Sequence, residues 1–132
     1  MTAKVLLPDG WPRPRGYANG VSATGRQLFL AGQIGWDATQ RMVPGGLVPQ
    51  AEQALRNIVA ILATDGATPE HLVRLTWYVT DRAAYLSAAG PLGEAYRRVI
   101  GRHFPAMTAV EVRALMEPDA VVEIEEIGRA HV

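Results

Sequence analysis

The chain has 132 residues, enough for one packed domain, and 48% of its residues are apolar while 20% are charged. Its 13 basic residues balance 13 acidic ones, so the formal net charge is zero, and Lys4 is the only lysine. A neutral chain without a polybasic run lacks the charge that nucleic-acid binders carry, which argues against RNA or DNA as the main ligand.

The first half of the chain predicts an extended lead-in, a hairpin and a helix. The segment "WPRPRG" at residues 11–16 contains too much proline and glycine for regular structure, so residues 1–15 are expected to form an extended lead-in. A strand that ends at Val21, a turn with Gly25 and a second strand over residues 27–34 predict the hairpin. Over residues 48–64 apolar residues recur at helical spacing, with polar residues on the other side.

The second half predicts one more helix and three strands. Residues 71–80 alternate and are rich in Val, Thr, Trp and Tyr, as is typical of a strand. A helical stretch over residues 82–100 follows, with a break expected at residues 90–91, Gly-Pro. The last two strands are expected at residues 107–115 and 121–128, which makes the order β-β-α-β-α-β-β.

The apolar pattern of the strands predicts an oligomer. Helices on one face of a sheet bury only that face. The segments "LFLAGQI" and "TAVEV" nevertheless carry apolar residues on both of their faces. A second buried face would explain this pattern, and other subunits could supply the cover.

Metal chemistry and a membrane location are not expected. The chain has no cysteine, and its three histidines, His71, His103 and His131, stand far apart and match no ligand spacing. The N-terminal apolar run is too short for a signal peptide, and the apolar run at residues 58–63 is far too short to span a bilayer. The default expectation is a cytoplasmic protein.

Several segments between Gly16 and Gly128 together resemble one family. In chain order they are "GYANGV", "LFLAGQIG", "QAEQALRNIVAILATDGA", "LVRLTWYVTD", "EAYRRVIGRHFPA", "TAVEV" and "VEIEEI". Their order and spacing resemble the RidA/YjgF family, which is also described as endoribonuclease L-PSP. The resemblance covers nearly the whole chain, so we treat residues 1–132 as a single domain of this type.

This resemblance implies a fold, an assembly and an activity. The fold is the chorismate-mutase-like α+β fold, a six-stranded mixed sheet with two helices on one face. Three subunits form a homotrimer through the opposite faces of their sheets, and each interface holds a cleft for a small-molecule metabolite. The activity is hydrolysis of reactive 2-imino or enamine acids to 2-oxo acids and ammonia, without a cofactor or a metal.

The resemblance also shows which pocket residues this chain replaces. The family's arginine after "FPA", which binds the substrate carboxylate, is Met107 in this chain. The nearby cysteine of the family corresponds to Ala109, the serine of its "SGQI" strand to Ala31, and a helix asparagine to Gly93. We therefore expect Ala31, Met107 and Ala109 to line a substrate pocket, with Trp77 as a further lining residue.

Three elements of the family's site are retained. Tyr17 is expected at the mouth of the pocket, and the backbone of Gly32 is expected to hold a polar ligand atom. Glu123 matches the carboxylate that orients the attacking water, so we assign Glu123 and Tyr17 as the catalytic residues. Because side chains alternate along a strand, Glu123 and Glu125 should share one face and Glu126 the other, and Glu123 is expected to be the inward carboxylate.

The missing arginine leaves the function open between three classes. Losing two charge-assisted hydrogen bonds, at roughly 1.5–3 kcal/mol each, lowers affinity for a carboxylate about a hundredfold or more. Classical 2-imino acid deaminase activity is therefore disfavoured, unless Arg13 or Arg15 replaces the lost cation. The hypotheses are a hydrolase of a reactive imine or enamine, a non-catalytic trimer that binds or senses a metabolite, and, as the weakest, an endoribonuclease or translation inhibitor.

Overall fold

A computed structural model describes residues 3–130 of the chain, so His131 lies outside the described residues. Six strands and three helices follow one another, with a short 3₁₀ turn at Pro69–His71. They are β1 (Lys4–Leu6), β2 (Gly20–Ser22), β3 (Arg26–Gln33), α1 (Leu47–Ala63), β4 (Leu72–Val79), α2 (Arg82–Ser87), α3 (Ala89–Val99), β5 (Ala106–Glu111) and β6 (Val122–Ala130).

Four of the strands form a mixed sheet in the order β3-β6-β4-β5. Strand β6 runs antiparallel to both of its neighbours, whereas β4 and β5 are parallel. Strands β1 and β2 form a separate antiparallel ribbon. A single parallel bridge between Ala18 and Ala106 attaches this ribbon to β5, and the Ala18 N–H donates to Pro105 O at 2.9 Å. The predicted α+β class and mixed sheet are confirmed, with the six strands divided between a sheet and a ribbon.

The predicted hairpin of β2 with β3 is wrong. Strand β2 pairs with β1, which lies in the lead-in that we expected to be irregular. Strand β3 pairs instead with β6, from Arg26 opposite Ala130 to Gln33 opposite Ile124. Gly25 does lie at a bend, with a φ of 134°, but this bend connects strands of two different sheets.

Helix α1 follows the predicted periodicity closely. It runs from Leu47 to Ala63, and Gly66 just beyond it adopts the positive φ of 72° that favours glycine. Its apolar stripe packs onto the sheet and is fully buried at Ala51, Ala54, Leu55, Ile58 and Leu62. We call the sheet face that the helices pack against the covered face, and the opposite one the open face.

The second helical stretch is broken two residues earlier than predicted. Helix α2 ends at Ser87 and α3 begins at Ala89, so the break lies at Ala88. Pro91 falls in the first turn of α3, where a backbone N–H has no intrahelical partner and its absence costs nothing. The proline therefore belongs to the beginning of a helix and does not interrupt one.

Strand β6 presents its glutamates to both faces of the sheet. Val122, Ile124 and Glu126 are buried on the covered face, while Glu123 and Glu125 are half-buried on the open face. The predicted alternation is correct, but the inward carboxylate is Glu126 and not Glu123. The alternation of side chains along a strand shows which residues share a face, but it does not show which of the two faces the helices cover.

The other differences lie at the ends of strands. Strand β5 ends at Glu111 instead of residue 115, because its partner β4 ends at Val79 and leaves nothing to pair with beyond Val112. Strand β6 extends to Ala130, two residues further than expected, since Arg26 at the beginning of β3 still pairs with it. Among residues 3–130 no helix is both long and apolar enough to cross a bilayer.

Candidate functional site

A bulge in β3 shapes the edge of the sheet next to Glu123. Leu30 pairs with Glu126 and Gln33 pairs with Ile124, so Ala31 and Gly32 together stand opposite a single residue of β6. Such a bulge interrupts the regular ladder and bends the strand. The predicted pocket residues Ala31 and Gly32 are thus the two residues whose backbone departs from regular pairing.

Gly32 leaves the space that the Glu123 side chain fills. A Cβ at position 32 would lie 1.9 Å from Oε2 of Glu123 and 2.7 Å from its carboxyl carbon. Only a residue without a side chain permits this approach, so the carboxylate lies directly against the backbone of the bulge. Two of the predicted site residues, Gly32 and Glu123, are therefore in contact.

Glu123 belongs to a polar cluster on the open face that sequence reasoning did not find. Tyr78 stands opposite Glu123 in the pairing of β4 with β6, and its hydroxyl donates to Oε1 of Glu125 at 2.5 Å. This hydrogen bond raises the pKa of the Tyr78 phenol, and the nearby charge of Glu123 adds to the effect. The sequence does contain a sign of this cluster. Tyr78 is four residues after the charged Arg74 in β4, so both side chains should lie on the same face of the strand.

The other predicted residues line a cavity at the opposite edge of the sheet. This cavity of about 460 Å³, which we call the aromatic cavity, lies between β5 and helices α2 and α3. Tyr17, Trp77, Met107 and Ala109 line it, as expected, and Gly93 of α3 lies in its wall. Trp77 extends from β4 on the covered face and meets Tyr85 edge to face, with 6.1 Å between the ring centroids.

One protomer does not bring the two groups together. Glu123 and Gly32 lie on the open face near the β3 edge, whereas Met107 and Ala109 extend from the β5 edge toward the helices. The strand order places β6 and β4 between the two edges. A site that uses both groups must therefore be completed by a second chain.

The two candidate replacement cations divide between two cavities. Arg15 lines the aromatic cavity together with Tyr17, and Arg97 of α3, which the sequence analysis did not consider, lines it as well. Arg13 instead lines a second cavity, of about 650 Å³, beside the β1–β2 ribbon. Of the two arginines named from the sequence, only Arg15 is therefore near Met107.

Metal-ligating groups are not clustered in the described part of the chain. Residues 3–130 contain no group of three or more His, Asp or Glu side chains arranged to hold a metal ion. Two of the histidines are engaged locally, because His103 Nε2 lies 2.7 Å from Leu72 O and His71 Nδ1 accepts from the Thr68 N–H at 2.9 Å. The ionisable groups of the open face therefore include the carboxylates Glu123 and Glu125, the Tyr78 phenol and the Arg74 guanidinium.

Comparisons with known proteins show the family of the chain. The family model described as endoribonuclease L-PSP matches residues 12–130. Protein DfrA of Myxococcus xanthus is 37% identical over 131 residues, which cover 97% of this chain and 96% of that protein. The 2-iminobutanoate/2-iminopropanoate deaminase of Mus musculus is 34% identical over 126 residues, covering 95% of this chain and 90% of the mouse protein.

A solved structure has the same fold over the whole chain. The Rid family protein YyfB of Yersinia pestis superposes with a TM-score of 0.84 at 31% identity, and the match covers 98% of this chain and all of that one. The likeness therefore includes both the β3–β6 edge that carries Glu123 and the β5 edge that carries Met107.

Proposed function

The chain belongs to the endoribonuclease L-PSP family of Rid and RutC proteins, and from this membership we propose that it is a hydrolase of a reactive imine or enamine metabolite. We place the reaction in clefts between the subunits of a cytoplasmic homotrimer. The observation that carries the proposal is the contact of Glu123 with the bulge at Gly32. This contact holds the carboxylate against the backbone of β3, at the edge of the sheet. Relatives named 2-iminobutanoate/2-iminopropanoate deaminase support the choice of reaction.

Imine hydrolysis needs few groups, and this chain can supply them. Water adds to the carbon of the C=N bond while Glu123 accepts one of its protons. The nitrogen takes up protons, the C–N bond breaks, and the products are a carbonyl compound and ammonia. Tyr17 would donate a hydrogen bond in the cleft, and backbone N–H groups of the bulge would hold a substrate oxygen. No step requires a cofactor.

The division of the site between two edges supports the proposed trimer. If the β3 edge of one protomer lies against the β5 edge of the next, Glu123 faces the aromatic cavity of its neighbour. Exposed apolar side chains on the open face favour such packing, with Phe29 70% exposed in the isolated chain. The substrate would then lie between Glu123 of one subunit and Met107 of another.

Met107 argues against the classical 2-imino acid substrates, unless another cation binds their carboxylate. A thioether cannot replace the bidentate contact that a guanidinium makes with a carboxylate. Ala109 in the same cavity also lacks a polar side chain, as does Ala31 at the β3 edge that a neighbouring subunit would bring to it, so the cleft favours a more apolar ligand. We therefore propose an imine whose binding does not depend on a cation at position 107.

The test is ammonia release from imines generated in place by an amino-acid oxidase. Because a general base contributes roughly 10²–10⁴-fold, Glu123→Gln should lower the rate at least a hundredfold, whereas Glu94→Gln on the exposed side of α3 should not change it. An unchanged rate in Glu123→Gln would show that the catalytic assignment is wrong.

The rival functions predict other results in the same assay. If no imine is hydrolysed above background, while a metabolite still raises the melting temperature, the protein is a binding or sensing trimer. RNA cleavage that persists through further purification and disappears in Glu123→Gln would favour the endoribonuclease. The zero net charge of the chain makes this last result the least expected.

A further inference from the structure

The aromatic cavity carries positive charge without a compensating carboxylate. Arg15 and Arg97 both line it, and no Asp or Glu is present among the lining residues of the described chain. Two guanidinium groups at one cavity favour an anionic ligand, because charges that share low-dielectric walls reinforce each other. Met107 stands where the family has an arginine, but two other arginines remain at this cavity.

Arg97 is free to contact a ligand. Its Nη1 lies 3.4 Å from the place where a Cβ of Gly93 would be, so the guanidinium crosses the bare backbone of α3 beside the cavity. Within residues 3–130 it makes no ion pair and no side-chain hydrogen bond. The next residue, Arg98, differs in this respect, since it donates to Glu52 Oε1 at 2.6 Å.

Trp77 supplies a buried aromatic wall to the same cavity. Its side chain is only 4% exposed, so surrounding residues hold the ring in place, and it adds apolar surface for a ligand to contact.

The other residues that line the cavity indicate what kind of group the ligand carries beside its charge. Tyr17, Tyr85 and Phe104 present aromatic surface, and Met107 adds a flexible apolar side chain. Such walls favour a ring or a branched hydrocarbon group. They disfavour a phosphate, because its second charge would have to be desolvated against apolar surface.

We propose that the aromatic cavity binds a carboxylate attached to an aromatic or branched apolar group, with Arg97 as the main cation and Arg15 as the second. The carboxylate lies against the guanidinium groups, and the apolar group packs among Trp77, Tyr85 and Met107. This assignment rests on the proposed function, because it names the substrate class of that site: imines of bulky 2-amino acids in place of small ones.

The test compares phenylpyruvate with pyruvate, by calorimetric titration of the purified full-length protein. Both share the carboxylate and carbonyl that hydrolysis would produce, and only the first carries a ring. We expect phenylpyruvate to bind at least tenfold more tightly than pyruvate. Arg97→Gln should lower the affinity for phenylpyruvate at least tenfold, and Arg97→Lys should lower it less because the charge remains. The control Arg98→Gln removes the same charge one position away and should stay within twofold.

Binding and turnover separate the two claims. If phenylpyruvate binds as expected but no bulky imine is hydrolysed, the ligand assignment stands and the hydrolase is wrong. If imines are hydrolysed while Arg97→Gln and Arg98→Gln bind phenylpyruvate equally, the ligand assignment is wrong and the hydrolase stands. Equal affinity for pyruvate and phenylpyruvate would also overturn the assignment, since the aromatic wall would then contribute nothing.

Discussion

Glu126 is a carboxyl group enclosed on the covered face of the sheet. It is 2% exposed, and neither of its carboxyl oxygens has a hydrogen-bond partner within residues 3–130. Gly128 makes room for it, because a Cβ there would lie 2.5 Å from Oε1. Burial disfavours the charged form and raises the pKa of Glu126 from 4.5 to about 8. At neutral pH the group is therefore mostly protonated.

This burial predicts a stability that falls as the pH rises. Between pH 4.5 and about 8 the folded chain keeps the proton on Glu126, which the unfolded chain has already lost. At about 1.36 kcal/mol per pH unit, the contribution of Glu126 to the free energy of unfolding should drop by roughly 5 kcal/mol across this window. Glu126→Gln should remove that drop, measured by urea unfolding at about pH 5 and about pH 8.5.

Glu94→Gln, on the exposed side of α3, is the matched control and should leave the pH dependence as it is. A pH dependence in Glu126→Gln equal to that of the unmodified chain would contradict the prediction, since the drop would then arise elsewhere. A Gln at position 126 keeps the shape of the protonated acid, so the comparison does not introduce a cavity.

Gly32→Ala tests the contact that carries the proposed function. The new methyl group would overlap the Glu123 carboxylate, which must then leave its place against the bulge. We expect imine hydrolysis to fall about as far as in Glu123→Gln, and the double variant to fall no further, because both changes remove one interaction. Gly90→Ala in α3, where a Cβ would meet nothing within 4 Å, serves as the control and should leave the rate unchanged. If the two losses of rate multiply in the double variant, Gly32 acts independently of Glu123.

Helix α2 depends on two carboxylates at its beginning. Asp81 Oδ1 accepts from the Ala84 N–H at 3.0 Å, and Glu111 Oε1 of β5 accepts from the Arg82 N–H at 2.7 Å. Without such partners the first N–H groups of a helix stay unpaired. Since α2 supplies Tyr85 to the aromatic cavity, its caps also hold part of the proposed ligand site.

Asp81→Ala should therefore lower stability by about 1 kcal/mol, the usual cost of losing an N-cap side chain. Asp81→Asn keeps an acceptor oxygen and should cost only a fraction of this, which makes it the matched control. The measurement is the midpoint of urea unfolding at constant pH. Equal losses in both variants would show that charge, and not the cap, is what stabilises the helix.

The elements that sequence predicts best are those determined by local pattern. Helix α1 carries its whole apolar stripe within residues 48–64, so its limits and its buried side could be predicted closely. The partner of β2 could not, because the choice between β1 and β3 depends on contacts far apart in the chain. The candidate site shows the same limit. The motif identified Met107 as the replaced arginine, but the sequence did not show that Arg97 of α3 lines the same cavity.

At the scale of the whole molecule, the open face is a surface on which exposed apolar side chains gather. It carries the apolar side chains Phe29, Val110 and Ile127 among its polar residues, and all three are exposed in the isolated chain. Among residues 3–130, strands β3 and β5 at its two edges have no further strand on their outer sides, apart from the single bridge at Ala106. In the proposed homotrimer, the other two copies would cover this surface and complete the divided site.

Phe29→Glu should dissociate the proposed trimer. Phe29 is 70% exposed in the isolated chain, so a charge there costs the folded protomer little but would be desolvated at an interface on the open face. Light scattering after size-exclusion chromatography should change from three times the 14.3 kDa of one chain to that single mass. Met116→Glu, at a loop residue that is 97% exposed, should remain a trimer. If Phe29→Glu also remains trimeric, the subunits do not associate through the open face, and Glu123 and Met107 cannot share a substrate across it.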